Sequence, residues 1–185
     1  MIREIVIFGN PILRKKCAQV ESVDDDLLAL VADMQETMID AQGIGLAAPQ
    51  VGVDLQLAIV DVSHDPECVS YLKVNGVERA LGDIMPLVFI NPQLEFGVEK
   101  DVMSEGCLSF PDIRGDVTRP FDLKATLGTL DGEQLVIETD GLLARAIQHE
   151  TDHLNGVLFI DRMSSASKLA LRGKIKRMQR EYGVR

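Results

Sequence analysis

His149-Glu150-Thr151-Asp152-His153 is the stretch on which the reading of this chain turns. It sits inside a run patterned as a helix, with Leu142, Leu143, Ala146, Ile147 and Leu154 recurring at helical spacing. Positions four apart share a helix face, so His149 and His153 can offer two imidazoles to one cation. Glu150 follows the first of them directly, where a carboxylate can take a proton from a nucleophilic water. Two ligands and a base within five residues make this helix the element around which the rest of the fold should be arranged.

Outward from that helix, Thr139 or Asp140 is placed to cap its start and Asn155-Gly156 to end it. Before it come strand-like runs at 56–62, 87–94, 121–130 and 134–138, with turns signalled by Asn75-Gly76, Asn91-Pro92 and Asp131-Gly132. A first helix is expected over 24–41, where Leu27, Leu30, Val31, Met34, Met38 and Ala41 form a stripe behind Asp24-Asp25-Asp26. A last amphipathic helix spans about 165–182, with Leu171, Ile175, Met178 and Tyr182 on one side. Helices at both ends and antiparallel or mixed sheets between them make an α+β fold, packed around the central metal-binding helix and closed by a C-terminal helix. Residues 1–185 are expected to form a single catalytic domain. The polar segment 63–85 is either a hairpin excursion or a loop.

Composition narrows the class. With 46% hydrophobic and 26% charged residues the chain is globular, and a net charge of −10 argues against broad nucleic-acid binding. The charge is uneven: 167–185 carries seven Lys/Arg against one Glu. The start, MIREIVIFGN, has charges early and only a short apolar run, which reads as neither a signal peptide nor a membrane span. A cytoplasmic location is expected, with Cys17, Cys68 and Cys107 as free thiols.

Catalytic sites of this type use three protein ligands and leave a fourth position for solvent. The third His of the extended H-E-x-x-H-x-x-G-x-x-H pattern is replaced here by Phe159. His64 lies in the polar segment and reads as a surface residue. Glu181, the downstream carboxylate that another protease subtype would need, lies in the basic last helix and reads as a solvated charge. Cys107, in Glu105-Gly-Cys-Leu-Ser-Phe-Pro111, is either a thiolate ligand or a buried small apolar side chain.

Three blocks stand in order: Gly43-Ile-Gly-Leu-Ala-Ala-Pro-Gln50, Glu105-Gly-Cys-Leu-Ser-Phe-Pro111 and Gln148-His-Glu-Thr-Asp-His-Leu-Asn-Gly156. Together they resemble the signature motifs of bacterial peptide deformylase, and the likeness runs from an N-terminal strand to the basic C-terminal helix. The resemblance implies that Cys107, His149 and His153 bind one divalent cation, natively Fe2+, for which Zn2+, Ni2+ or Co2+ can substitute. It implies Glu150 as general base and then acid, and Gln50 with the backbone N–H of Leu108 as stabilisers of the oxyanion. Arg114 would pair with Glu105. The substrates would be N-formylmethionyl nascent peptides, released as a free amino terminus and formate. The segment 63–85 is longer than in the most compact members, which bears on the rim of the cleft.

Leu142, Arg145 and Ala146 share the face of His149 and, with Ile44, are candidates for a pocket that takes an unbranched thioether side chain. Leu142 and Ala146 fit a plain core role equally well. Gly43 and Gly45 either only stop the first helix or bring a Cβ-free backbone edge to an extended substrate, and Glu105 and Gly106 are further candidates for substrate binding. The basic last helix is a candidate for transient ribosome contact through phosphates. The rival activity is a zinc-dependent peptidase, and the rival class is a structural metal module, which would need a fourth protein ligand.

Overall fold

The computed structural model describes residues 1–65 and 68–182. Three aspartates open the first helix. Asp24 is its N-cap, accepting from the Leu27 N–H at 2.9 Å, and α1 runs Asp25–Asp40. Leu27, Leu30, Val31, Met34 and Met38 are buried along it, the stripe the sequence predicts.

The main sheet holds seven strands: β1 (Gly45–Ala47), β2 (Leu57–Val60), β3 (Leu72–Val74), β4 (Val77–Glu78), β5 (Leu87–Phe96), β8 (Asp122–Gly128) and β9 (Gln134–Asp140), ordered β1-β2-β5-β8-β9-β3-β4. Their pairings are antiparallel. β2 shows why the sheet sits where it does, because all four of its residues are buried. Leu57 and Ile59 join the cluster packed on α1, while Ala58 and Val60 join the cluster on the other face. A strand of period two therefore carries two cores.

That other face is covered by α2 (Gly141–Leu154), which buries Leu143, Ala144, Ile147 and Leu154 against Val60, Phe89, Leu127 and Ile137. Asp140 stands at its N-cap position, but its carboxylate accepts the Tyr71 N–H at 2.7 Å and makes no cap bond; Thr139 bonds the Tyr71 carbonyl. The helix start is satisfied instead by Ser70, whose Oγ accepts the Leu143 N–H at 3.1 Å. Neither expected cap acts, because the neighbouring strand recruits both side chains.

Two further expectations change. Asn91-Pro92 is not a turn: it lies within β5 at a register shift between Ile90 and Gln93, where Asn91 takes a φ of 48° and clasps Val20 through two bonds of 2.9 Å. A second sheet, β6 (Lys100–Gly106) paired with β7 (Arg114–Pro120), has no counterpart in the sequence reading. Half of its residues are exposed and two of its buried positions are the charged Glu105 and Arg119, so it lacks the apolar alternation that reveals a half-buried strand.

Segment 63–85 carries the β3–β4 hairpin. Asn75 and Gly76 form its turn with φ of 49° and 81°, and β3 pairs with β9, so the excursion extends the sheet; residues 66–67 of that segment lie outside the described residues. Residues before Pro11 form no regular strand, contrary to expectation. They run extended, with the Val6 N–H bonded to the Gln50 carbonyl at 2.8 Å and the Phe8 N–H to the Ser109 carbonyl at 3.0 Å.

The chain closes with α3 (Phe159–Arg162) and α4 (Ser165–Glu181). Leu171, Ile175 and Met178 of α4 pack with Phe110, Ile113, Val117 and Phe159 in a third cluster beneath the β6–β7 hairpin. Among the described residues, no helix is long and apolar enough to cross a membrane.

Candidate metal centre

α2 presents His149 and His153 on one face, one turn apart, with ring centroids separated by 5.1 Å. Cys107 enters from the end of β6, its Sγ 3.2 Å from His153 Nε2. The ligand atoms of Cys107, His149 and His153 all lie within 4.8 Å of one another. Around one ion with bonds of about 2.0–2.3 Å, tetrahedral neighbours lie about 3.3–3.8 Å apart, so this trio needs only a small contraction to close on a cation. One sulfur and two imidazole nitrogens suit a borderline-soft divalent ion.

The ligands are held from behind. Glu105 Oε2 lies 2.9 Å from His149 Nδ1. A proton between them fixes the tautomer and leaves Nε2 to face the site. Glu105 in turn receives Arg119 through Nε at 2.6 Å and Nη2 at 3.0 Å, and Arg145 through Nη1 at 2.6 Å. Arg119 reaches Asp152 at 2.7 Å, and Asp152 is clasped by Arg162. Arg119 and Glu105 are 2% and 5% exposed, so this network works where water screens little.

Gln50 is 1% exposed on the short turn Ala48–Val51. Its Oε1 accepts the Ala47 N–H at 2.8 Å, which assigns Nε2 to the site, 3.3 Å from Ser109 Oγ and 3.5 Å from Cys107 Sγ. Glu150 is buried, and its Oε2 has no hydrogen-bond partner among the described residues. A Cβ on Gly45 would come within 2.8 Å of the Glu150 Cδ, so Gly45 leaves the room that the carboxylate fills. Burial pushes the Glu150 pKa up to about 7, against the pull of His149 and Arg119. For His149 burial acts to lower the pKa, but the Cys107 sulfur and the Glu105 carboxylate outweigh it and raise it to about 10 in the metal-free protein. Burial holds His153 well below the usual range. Glu105 is held far below its ordinary range: burial opposes this, and His149 and Arg119 prevail.

A cleft of about 900 Å³ opens over these groups. Ile44, Gly45, Gly106, Leu108, Leu142 and Ala146 line it, and Ile44 is 41% exposed. Ala146 also belongs to the core on α2, so its two readings meet in one residue. Arg145 and Glu105 border the same cleft, but their charged groups are turned to each other and to Asp101, Val117 and Arg119. Both are better described as supports of His149 than as peptide contacts. Arg114 does not pair with Glu105; its Nη2 donates to the Ser104 carbonyl at 3.0 Å. Arg119 takes the partnership instead, because it shares the inward parity of Val117 on β7, while Arg114 opens the strand on the opposite parity and is exposed. Glu181 pairs with Arg177 on the outer helix, and His64 is exposed beside Asp61, so neither approaches the trio.

Arg119, Asp152 and Ser109 went unnoticed in the sequence. A signal existed for Arg119: an Arg two residues from a buried Val on a strand points inward and needs an acidic partner.

The polypeptide deformylase family profile matches residues 2–169. A peptide deformylase of Methylacidiphilum infernorum is 45% identical over 184 residues, covering 100% of this chain and 96% of that protein. One from Clostridium botulinum is 47% identical over 161 residues, covering 87% and 96%. Among solved structures, a plant peptide deformylase superposes with a TM-score of 0.83 at 35% identity, covering 97% of this chain and 90% of that one.

Proposed function

Because the chain belongs to the polypeptide deformylase family, we propose that Cys107, His149 and His153 hold its cation, that Glu150 moves the protons, and that Gln50 and the Leu108 N–H receive the charge that builds on the formyl oxygen. As a member of that family it is a metal-dependent hydrolase. It removes the N-formyl group from the N-terminal formylmethionine of newly synthesised proteins and releases formate. The observation that carries the residue assignment is the convergence on a single cleft of one sulfur, two imidazoles, a carboxylate oxygen without a hydrogen-bond partner among the described residues, and an oriented carboxamide.

The bound cation supplies Lewis acidity, which brings the pKa of a water towards neutrality. Glu150 accepts the proton of the attacking water and later returns it to the leaving amine, and the burial that raises its pKa in the metal-free protein favours its holding that proton in between. Gln50 donates from Nε2, held in place before the reaction by the Ala47 N–H on its other end. Glu105 keeps the His149 ring from turning, with Arg119 and Arg145 keeping Glu105 in place. The side chain of the formylmethionine enters between Ile44, Leu142 and Ala146, alongside Gly45 and Gly106.

We assign ferrous iron as the native ion, in keeping with the resemblance and the thiolate ligand, with zinc, nickel or cobalt as substitutes. We propose a cytoplasmic location, which a substrate still being synthesised supports. For α4, the exposed Lys168, Arg172, Lys174, Lys176, Arg177 and Arg180 support transient docking on ribosomal RNA; residues 183–185 of that basic stretch lie outside the described residues. Since α4 buries Met178, the docking test is charge reversal of Lys174, Lys176 and Arg180 rather than deletion, read by co-sedimentation with ribosomes at low salt. Loss of co-sedimentation is expected, and unchanged co-sedimentation refutes the docking.

The deciding experiment is anaerobic formate release from formyl-Met-Ala by wild type and Glu150→Gln. The reading predicts formate with the Met-Ala bond intact, and a drop of at least about 10²-fold in the variant. Cleavage of the Met-Ala bond would make the protein a zinc-type peptidase instead.

A further inference from the structure

Charge is segregated along this chain. Residues 17–72 contain no Lys or Arg and eleven Asp or Glu. α1 lies within them, and its exposed side carries Asp25, Glu36 and Asp40. Beside those acids runs a second apolar stripe that the core does not use. It consists of Leu28, Ala32 and Ile39, with Gln35 between the last two, and Leu28 and Ile39 are 45% and 61% exposed. Steps of four, three and four residues keep these positions on one face, in the spacing of a coiled-coil seam. α4 is the electrostatic reverse. It turns Leu171, Ile175 and Met178 into the third cluster, while Tyr182, expected on the same stripe, is exposed at the C-cap. On its outer side Leu169, Gly173, Lys176 and Arg180 repeat the same spacing, with Arg172 and Arg177 alongside, and Leu169 is 69% exposed. Gly173 is the odd residue there. Glycine weakens a helix interior, yet a Cβ at this position would meet nothing within 4 Å. Among the described residues nothing calls for the missing side chain, whereas a second helix approaching closely would.

We propose that α1 of one copy docks on α4 of a second copy of this chain, the two stripes forming a two-helix seam rimmed by opposite charges. Laid parallel, Leu169 meets Leu28, and Gly173 meets Ala32 as a small pair that lets the backbones approach. Lys176 and Arg180 then come level with Glu36 and Asp40. The observations select a second copy as the occupant. Each copy carries both surfaces, the spacing of one stripe repeats in the other, and their charges are opposite. A contact one helix wide falls at the small end of specific interfaces, so the association is weak and sensitive to salt. Ribosomal RNA competes for α4 but not for α1, so variants of α1 read self-association alone. The inference stands without the deformylase assignment.

The test is sedimentation velocity on the full chain at low and high salt, over about 1 µM to 1 mM, a range that brackets a weak contact. At low salt the average mass should climb with concentration above the 20.3 kDa of one chain, and high salt should return it towards that value. Gln35→Lys with Asp40→Lys on α1, or Lys176→Glu with Arg180→Glu on α4, should each weaken association at least about tenfold by facing like charges. An equimolar mixture of the two variants should restore it. In the mixture a cationic α1 meets an acidic α4, and a wild-type α1 meets a wild-type α4. Gly173→Gln should weaken association by a similar factor with a urea midpoint no lower than wild type, because a better helix former enters an open position. A wild-type chain that stays monomeric at every concentration overturns the proposal. So does a mixture that fails to restore association although both variants keep the wild-type circular dichroism spectrum, or a folded Gly173→Gln that associates like wild type.

Discussion

Arg119→Met removes the guanidinium on which the support of the metal centre depends, while keeping similar side-chain length. Three hydrogen bonds vanish, two to Glu105 and one to Asp152, all between groups that are nearly or fully buried. Breaking a buried ion pair from one side typically costs about 3–5 kcal/mol, because the abandoned charge stays desolvated. Here neither carboxylate is abandoned entirely: Glu105 keeps Arg145 and His149, and Asp152 keeps Arg162. The lower end, about 3 kcal/mol, is therefore expected. With a urea dependence of about 2 kcal/mol per molar, that is a midpoint about 1.5 M lower for the metal-free protein. A ring held by a less constrained Glu105 should also bind the cation about 10–100-fold more weakly. Arg162→Ala, at the half-exposed outer end of the same chain of contacts, should cost under about 1 kcal/mol. Urea titration of metal-free protein and zinc competition with a chelator measure both effects. If Arg119→Met matches wild type in midpoint and zinc affinity, the buried network does not support the ligands and the reasoning fails.

Gln50→Leu should slow formate release by about 10²–10³-fold with cation content unchanged, since one oriented donor is lost; a variant within threefold of wild type would remove Gln50 from the chemistry. Gly45→Ala should cost about 10²-fold in turnover by pushing the Glu150 carboxylate aside, again with the cation retained, and unimpaired turnover would show that the carboxylate has room to spare. Below pH 10 the metal-free protein carries a proton on His149, because its pKa is raised to about 10. That proton stabilises the metal-free fold fully below the ordinary histidine pKa, and the contribution fades as pH rises towards 10. The cation must displace it, so zinc affinity should rise about tenfold per pH unit between 7 and 9 from this proton alone, with proton release measurable by calorimetry in buffers of different ionisation enthalpy. Affinity independent of pH would contradict the His149 assignment.

What the sequence made legible follows from periodicity and local spacing. The stripe of α1, the span of α2 and the underside of α4 are long, regular patterns, and each stands close to its expected bounds. The two histidines and Glu150 needed only the helical repeat. Cys107 could be joined to them through motif order alone, because nothing local to a thiol between Gly and Leu says whether it binds an ion. The β6–β7 hairpin escaped because its burial is carried by charged residues, Glu105 and Arg119, whose partners lie far along the chain. The same blindness led to Arg114 as the partner of Glu105: sequence proximity suggested it, and strand parity decided for Arg119. Arg145 reads as a pocket residue from the face it shares with His149, yet the acids that hold it, Glu105 and Asp101, come from a strand that was not foreseen.

The central claim is that one thiolate and two imidazoles grip a single cation, and it is tested most directly by counting ions. Equilibrium dialysis of wild type and Cys107→Ala against zinc, with folding checked by circular dichroism, should give one tightly held ion per wild-type chain. The folded variant should show a loss of at least about 100-fold in affinity. A folded Cys107→Ala protein that holds zinc as tightly as wild type would contradict the account at its root.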